Sequence, residues 1–160
     1  SVSGENNTVI AQLSQAKNFL YLINPDNRYA SSQDFVDAIK STNYDVLIMD
    51  LFFNSKPYTA QQMNDLKQKA NGGKRLLIAY MSIGEAEDYR YYWQADWSKN
   101  PPAWLEKENP KWKGDFYVWY WNPTWQNLIY GTRDSYTQKI IDAGFDGVYL
   151  DIIDAFERYE

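Results

Sequence analysis

Short apolar runs alternate along the chain with amphipathic segments, and this alternation constrains the fold more than any other feature. The runs cover residues 19–23, 46–53, 76–81, 116–121 and 148–153. Strands whose two faces are both covered are expected to be almost continuously apolar, as in parallel sheets. Because amphipathic segments separate the runs, the sequence predicts alternating strands and helices, which is an α/β fold with a parallel sheet.

The segments between the runs carry helix signals. Thr59 and Gln62 have the spacing of a capping box, in which each side chain bonds the backbone of the other residue. Asn122 followed by Pro123 is typical of a helix cap with proline at the first helical position. Apolar residues within 9–16 also follow the helical period, which predicts a helix before the first strand.

The spacing of the runs predicts the architecture. Successive runs lie roughly 32 residues apart, and eight such units approach the roughly 250 residues of a (β/α)8 TIM barrel. We therefore predict that residues 1–160 form a single (β/α)-barrel domain of about five β/α units, truncated after the fifth strand. The alternative is a five-stranded, doubly wound, flavodoxin-like sheet, although residues 24–31 contain no glycine for a phosphate-binding turn.

Composition excludes several classes of chemistry. The chain has no His and no Cys, so it cannot build a zinc site on imidazole or thiolate, or a Ser–His or Cys nucleophile system. Its net charge of −5 argues against nucleic acid as a partner. No apolar stretch is long enough to predict a membrane span. Carboxylates are therefore the leading acid–base groups, and no cofactor is predicted.

Carboxylates follow the apolar runs at the points where the predicted strands end. Asp50 ends the apolar part of the second run, and Glu85 and Glu87 come after the third. Asp151 interrupts the last run, and Asp154 follows it closely. Because the carboxyl ends of parallel strands share one edge, we expect these groups to converge there. Convergence separates their pKa values, as chemistry that uses two carboxyl groups requires.

Each carboxylate also has a structural alternative. Asp154 could cap the helix that follows it, Asp50 could bond the next loop, and Glu87 could belong to a solvated ion-pair cluster. A Mg²⁺ or Ca²⁺ site built from Asp50, Glu85 and Asp151 is chemically possible. No segment has a recognisable calcium-loop spacing, however, so no metal site is predicted.

Three motifs resemble one known family. Residues 80–90 read YMSIGEAEDYR and resemble the Y-x-S-x-G-E-x-E-x-x-R segment of glycoside hydrolase family 114. Residues 121–125, WNPTW, resemble the W-x-P-x-W stretch of that family. Residues 144–154, GFDGVYLDIID, resemble its G-F-D-G-x-x-L-D-x-x-D strand. The resemblance extends from about residue 19 to the last residue.

The resemblance implies a TIM barrel that hydrolyses α-1,4 bonds in galactosamine-containing polysaccharide. It implies that Asp151 is a catalytic carboxylate, whereas the Glu that completes the pair belongs to a later strand of the family. It also implies a secreted or cell-envelope protein. The alternative is a carbohydrate-binding relative without catalysis. The predicted substrate-binding residues are Asp50, Tyr80, Ser82, Glu85, Glu87, Trp121, Tyr149 and Asp154.

Aromatic residues make up 18% of the chain and suit the recognition of sugar rings, because their flat faces are apolar and their edges polar. Tyr80, Tyr149, Trp119 and Trp121 are the candidate platforms. Trp119 and Trp121 share one side of the predicted fourth strand, so both could instead fill a barrel interior. Residues 96–114 form the longest irregular stretch, which is either a functional loop or a packed surface Ω-loop.

Overall fold

The computed structural model describes all residues, Ser1–Glu160. The strands are β1 Phe19–Tyr21, β2 Val46–Met49, β3 Phe52–Phe53, β4 Lys56–Pro57, β5 Leu76–Ser82, β6 Glu85–Glu87, β7 Leu105–Glu108, β8 Asp115–Val118 and β9 Gly147–Asp151. The α-helices are α1 Ser32–Lys40, α2 Ala60–Leu66, α3 Pro123–Ile129 and α4 Tyr136–Asp142. Short 3-10 turns cover Leu13–Gln15, Pro25–Asn27, Ala95–Ser98 and Ala155–Arg158.

The chain divides into two compact units. Unit 1 comprises Ser1–Tyr80 and Ile140–Tyr149. Unit 2 comprises Met81–Lys139 and Leu150–Glu160. The chain passes from one unit to the other within β5, α4 and β9, so each unit is built from two separate segments.

A four-stranded sheet has the order β1-β2-β5-β9. β1 pairs with β2, and β2 with β5, in parallel and without a register shift. The predicted α/β fold with a parallel sheet is therefore confirmed. The sheet is open, since β1 and β9 are its edges, and it contains four strands rather than the five that were predicted.

The core of unit 1 forms where α1 and α2 cover β2 and β5. Ser31 caps α1 by accepting a hydrogen bond from the backbone N–H of Asp34. Thr59 and Gln62 form the predicted capping box at the start of α2. Both helices direct their apolar side chains towards the sheet. The buried cluster contains Phe35, Val36, Ile39, Leu47, Met49, Phe53, Met63, Leu66 and Leu77.

The helix predicted within residues 9–16 is wrong. Val9 instead forms an isolated parallel bridge with Lys74, and only a short 3-10 turn, Leu13–Gln15, follows it. Ile10 is buried, and its N–H donates to the carbonyl of Lys74 at 2.9 Å. Pairing with the chain before β5 satisfies the backbone of this segment, so tertiary contact overrides the local helical period.

Unit 2 contains an antiparallel sheet with the order β6-β8-β7. The sequence places the apolar run 116–121 in the parallel sheet. In the structure, the first residues of this run instead belong to β8. β7 lies inside the stretch 96–114, which was predicted to be irregular. Both interpretations of these segments were therefore wrong. The physical reason is that half-buried aromatic side chains make a run look apolar on both faces, although the strand is not central to a parallel sheet.

Aromatic packing stabilises unit 2. Trp93 packs against Phe116 with ring centres 4.8 Å apart. Trp97 packs edge-on against Trp104 at 5.2 Å, and Trp104 packs against the buried Trp125 at 5.5 Å. Trp125 lies on α3, whose predicted cap is confirmed, because Asn122 accepts a hydrogen bond from the N–H of Thr124. None of the four α-helices combines the length and apolar composition of a membrane-crossing segment.

Candidate active site

Glu85 lies at the centre of the carboxylates in unit 2. It begins β6, directly after the turn that follows β5, and it is 4% exposed. Nδ2 of Asn109 donates to its Oε1 at 2.8 Å. Its backbone carbonyl accepts a hydrogen bond from Oγ of Ser82 at 3.2 Å. Ser82 is itself buried, so the structure places it as a support for the β5–β6 turn.

Burial raises the pKa of Glu85, and the carboxylates around it raise the pKa further. Asn109 opposes this shift, because its donor stabilises the ionised carboxylate. The anionic neighbours that contribute are Glu87, Asp151 and Asp154. Four of the carboxylates expected to converge therefore lie in unit 2, where the other three make Glu85 hold a proton more tightly than an exposed Glu does, whereas Asp50 lies in unit 1.

Asp151 ends β9 beside a strained residue. Its Oδ1 accepts a hydrogen bond from the N–H of Ile152 at 2.9 Å, and its carbonyl accepts one from the N–H of Ile83 at 3.1 Å. Ile152 has a φ of 58°, a left-handed conformation that is a true outlier for a β-branched residue. Such strain costs about 1–3 kcal/mol and clusters at functional sites.

The backbone at Gly84 lies very close to the backbone at Ile152. A Cβ added to Gly84 would lie 2.3 Å from the carbonyl oxygen of Ile152 and 2.6 Å from Cβ of Ala155. Only glycine therefore fits at the turn between β5 and β6, which explains the glycine of the G-E motif. The turn carrying Glu85 and the turn following Asp151 are packed against each other within unit 2.

Asp154 lines a cavity together with Glu85. It precedes the 3-10 turn Ala155–Arg158, but its side chain makes no capping hydrogen bond. The alternative that Asp154 serves as a side-chain cap is therefore wrong. The cavity has a volume of about 310 Å³, and its wall combines carboxylates, an amide, a guanidinium and phenol rings. The other polar residues of the wall are Asn109, Tyr117, Glu157, Arg158 and Tyr159.

Glu87 is buried and committed to other groups. Its Oε1 accepts a hydrogen bond from Nε of Arg90 at 3.0 Å, and its Oε2 accepts one from the hydroxyl of Tyr89. Its side chain is 6% exposed. This ion pair matches the structural alternative in part, although it is buried rather than solvated. Contact between Glu87 and a substrate remains a prediction.

Asp115 is a carboxylate that the sequence did not single out. It lies opposite Glu87 in the pairing of β6 with β8. Burial raises its pKa to about 7, and the charges of Glu87 and Glu85 add to this effect. The sequence signal was hidden because Asp115 begins a strand that was assigned to another sheet.

The remaining predicted residues lie in both units. In unit 1, Asp50 follows β2 and accepts a hydrogen bond from the N–H of Phe52 at 2.8 Å. Tyr80 is buried and stacks on Tyr149 with ring centres 6.3 Å apart. In unit 2, Trp121 is 47% exposed. No group of three or more carboxylates is arranged to hold a metal ion.

Trp119 and Trp121 stack on each other in unit 2. Their rings are nearly parallel, at 8°, with centres 6.0 Å apart. Nε1 of Trp119 donates to Glu106 at 3.0 Å, and Tyr159 packs edge-on against Trp121. Glu106 also accepts from Arg158, so this residue, which the sequence analysis did not single out, connects β7 to the segment after β9.

Curated relatives match most of this chain but extend well beyond it. An uncharacterized protein of Methanocaldococcus jannaschii is 39% identical over 157 residues, which is 98% of this chain and 42% of that protein. An uncharacterized protein of Deinococcus radiodurans is 39% identical over 129 residues, covering 80% of this chain and 39% of that protein. The chain spans about two fifths of the length of these relatives.

Two solved structures share the fold. The crystal structure of Aspergillus fumigatus Ega3 in complex with galactosamine has a TM-score of 0.54 and 20% identity, covering 95% of this chain and 51% of that one. The glycoside hydrolase domain of PelA from Pseudomonas aeruginosa has a TM-score of 0.52 and 16% identity, covering 88% and 45%. The model of glycoside-hydrolase family GH114 matches residues 4–160, and the chain therefore belongs to that family.

Proposed function

We propose that the protein carrying this chain hydrolyses α-1,4 bonds in a galactosamine-containing polysaccharide. One observation carries the proposal: in unit 2, Glu85 and Asp154 line one cavity, and the charge of Asp151, at the end of β9, acts on the carboxyl group of Glu85. Glycoside hydrolysis needs carboxyl groups of different proton affinity, one to protonate the leaving oxygen and one to act as base or nucleophile. Membership of family GH114 supports the reaction class.

Asp151 supplies one carboxyl group of the catalytic pair in this proposal. Asp151 lies at the end of β9. The resemblance of residues 144–154 to the family's catalytic strand supports this role. The Glu that completes the pair would come from a later strand. Glu85 and Asp154 would line the substrate site beside it, with Trp121 as an aromatic platform for a sugar ring.

The substrate class follows from charge. Carboxylates outnumber cations in the cavity wall, since Glu85, Asp154 and Glu157 face the single guanidinium of Arg158. Galactosamine without its acetyl group carries an ammonium, which such a wall attracts. The structural neighbour from Aspergillus fumigatus was crystallised with galactosamine. Asp50, Tyr80, Ser82, Glu87 and Tyr149 would complete the substrate-binding set.

We further propose that the four-stranded sheet is the first part of a (β/α)8 barrel. The exposed aromatic residues Phe19 and Tyr21 on the edge strand β1 support this, because a further strand would cover them. A polymeric substrate would place the protein outside the cell or in the cell envelope.

The test uses the full natural protein and defined oligomers of α-1,4-linked galactosamine. Asp151→Asn should lower kcat by about a thousandfold, which is typical of losing a general acid or base. Asp134→Asn is the matched control, because Asp134 is an exposed aspartate of the same unit. Product chains are measured by mass spectrometry at a series of times.

The outcomes separate the two candidate functions. Oligomer binding without cleavage, unaffected by Asp151→Asn, would identify a carbohydrate-binding relative instead. If Asp151→Asn lowers the rate of cleavage no more than Asp134→Asn does, Asp151 does not belong to the catalytic pair. Cleavage of N-acetylated oligomers alone would contradict the role of the ammonium.

A further inference from the structure

Asn109 makes the one hydrogen bond that the protein offers to the carboxylate of Glu85. Its Nδ2 donates to Oε1 at 2.8 Å, and Oε2 accepts no hydrogen bond from the protein. Both side chains line the cavity that also contains Asp154. We propose that Asn109 is a positioning residue: it fixes one oxygen of Glu85 and leaves the other for the substrate. This inference rests on the hydrolase function proposed above.

The orientation of Asn109 is determined by the turn that carries it. Its backbone N–H donates to the carbonyl of Asp115 at 2.7 Å, which ties the turn to β8. Its carbonyl accepts from the N–H of Trp112 at 3.1 Å, with Pro110 at the position that β-turns favour for proline. Its Oδ1 accepts from the N–H of Lys111 at 3.0 Å. Because Oδ1 is occupied, the amide nitrogen must face Glu85; the amide orientation follows from this network.

The charges around Glu85 explain why a fixed neutral donor matters there. Arg158 lines the same cavity but is paired with Glu106 at 3.0 Å. The anionic neighbours favour a protonated Glu85, whereas an amide donor favours the carboxylate. Asn109 therefore fixes the direction of the Glu85 carboxylate and lowers its proton affinity. The charged groups that surround Glu85 are Glu87, Asp115, Asp151, Asp154, Glu157 and Arg158.

The experiment compares pH–rate profiles of the full natural protein on galactosamine oligomers. Ionised Glu85 is the form that attracts the ammonium of the substrate, so Asn109→Ala, which removes the donor, should move the acid limb of the kcat/KM profile to higher pH by roughly one unit. Asn109→Asp keeps the side-chain shape and the acceptor for Lys111, but replaces the donor with a carboxylate. The acid limb of the Asn109→Asp variant should therefore move further in the same direction. Asn127→Ala and Asn127→Asp are the controls, because Asn127 is exposed on α3.

A double variant tests whether Asn109 acts through Glu85. In a Glu85→Gln background, Asn109→Ala should not move the pH profile of kcat/KM, since the side chain at position 85 no longer titrates. An equal shift in that background would overturn the proposal. So would Asn109 variants whose acid limb stays at the position of the natural protein, because a purely structural role lowers activity without moving that limb.

A measurement without turnover separates this inference from the proposed function. The pKa of Glu85 can be followed by NMR of its side-chain carboxyl carbon. A higher pKa in Asn109→Ala supports the positioning role even if no galactosamine oligomer is cleaved, in which case only the proposed function fails. An unchanged pKa of Glu85 overturns the positioning role even if cleavage is observed.

Discussion

Two aspartates illustrate how their surroundings set proton affinity in opposite directions. Asp45 is buried, which opposes ionisation, but hydrogen bonds from Lys69, the Lys17 N–H and Asn6 outweigh burial and lower its pKa. Asp115 is half-buried, and desolvation together with the negative charge of Glu87 raises its pKa to about 7. The difference lies in the partners of each carboxylate.

The raised pKa of Asp115 has a consequence for stability. The folded protein holds a proton on Asp115 that the unfolded chain releases above its ordinary pKa of about 3.9. The stabilisation is therefore fully present below that pH and is lost as the pH rises through about 7. Asp115→Asn should abolish this part of the pH dependence, which amounts to at most about 1.4 kcal/mol per pH unit.

Urea unfolding between about pH 4 and about pH 8 measures this effect. The natural protein should lose stability relative to Asp115→Asn across that range. Asp96→Asn, at an exposed site on a 3-10 turn, serves as the control and should run parallel to the natural protein. Parallel curves for Asp115→Asn as well would show that Asp115 titrates normally.

At the scale of elements, one side chain joins the ends of the two helices in unit 1. Arg75 is 2% exposed and precedes β5. Its guanidinium donates to the carbonyl of Ile39 at 3.1 Å, near the end of α1, and to that of Gln68 at 2.6 Å, beyond α2. It also donates to the carbonyl of Thr42 at 3.0 Å. Helix ends leave carbonyls without helical partners, and Arg75 supplies the donor for the carbonyls of Gln68 and Tyr44.

Arg75→Met should therefore destabilise unit 1 by roughly 3 kcal/mol, because the carbonyls of Gln68 and Tyr44 lose their donor. Lys74→Met is the matched control, since Lys74 is exposed at the neighbouring position. Chemical unfolding measures the free energy of both variants. A loss below about 0.5 kcal/mol for Arg75→Met would mean that water replaces the guanidinium at no cost.

At the scale of the whole molecule, the parallel sheet has two uncovered edges. Phe19 is 64% exposed and Tyr21 42% exposed on β1. Tyr149 on β9 is 41% exposed. Edges with apolar side chains pair with other chains unless charge or a covering element prevents it.

We therefore expect the 160-residue chain by itself to self-associate as its concentration rises. Phe19→Lys should reduce association, because a charge on the edge strand opposes pairing. Ile141→Lys is the control, since Ile141 is 60% exposed but lies on α4. Sedimentation velocity over a concentration series distinguishes the variants. Equal effects of both substitutions would indicate that net charge, rather than the edge, controls association.

Prediction from the sequence succeeded where the signal was local. Thr59 with Gln62 and Asn122 with Pro123 begin α2 and α3 as predicted, since a cap depends on residues only a few positions apart. The parallel strands at 46–49 and 76–82 were found because buried strands are continuously apolar. The motif around Glu85 also located the centre of the carboxylates in unit 2.

What the sequence by itself determined is the α/β alternation, the helix caps and the family motifs, all of which are encoded by neighbouring residues. Only the tertiary structure decided that β8 belongs to an antiparallel sheet and that Asn109 contacts Glu85, 24 positions away. It also decided that Asp115 faces Glu87. The physical reason is that strand pairing and burial depend on contacts distant in sequence, whereas periodicity and capping do not.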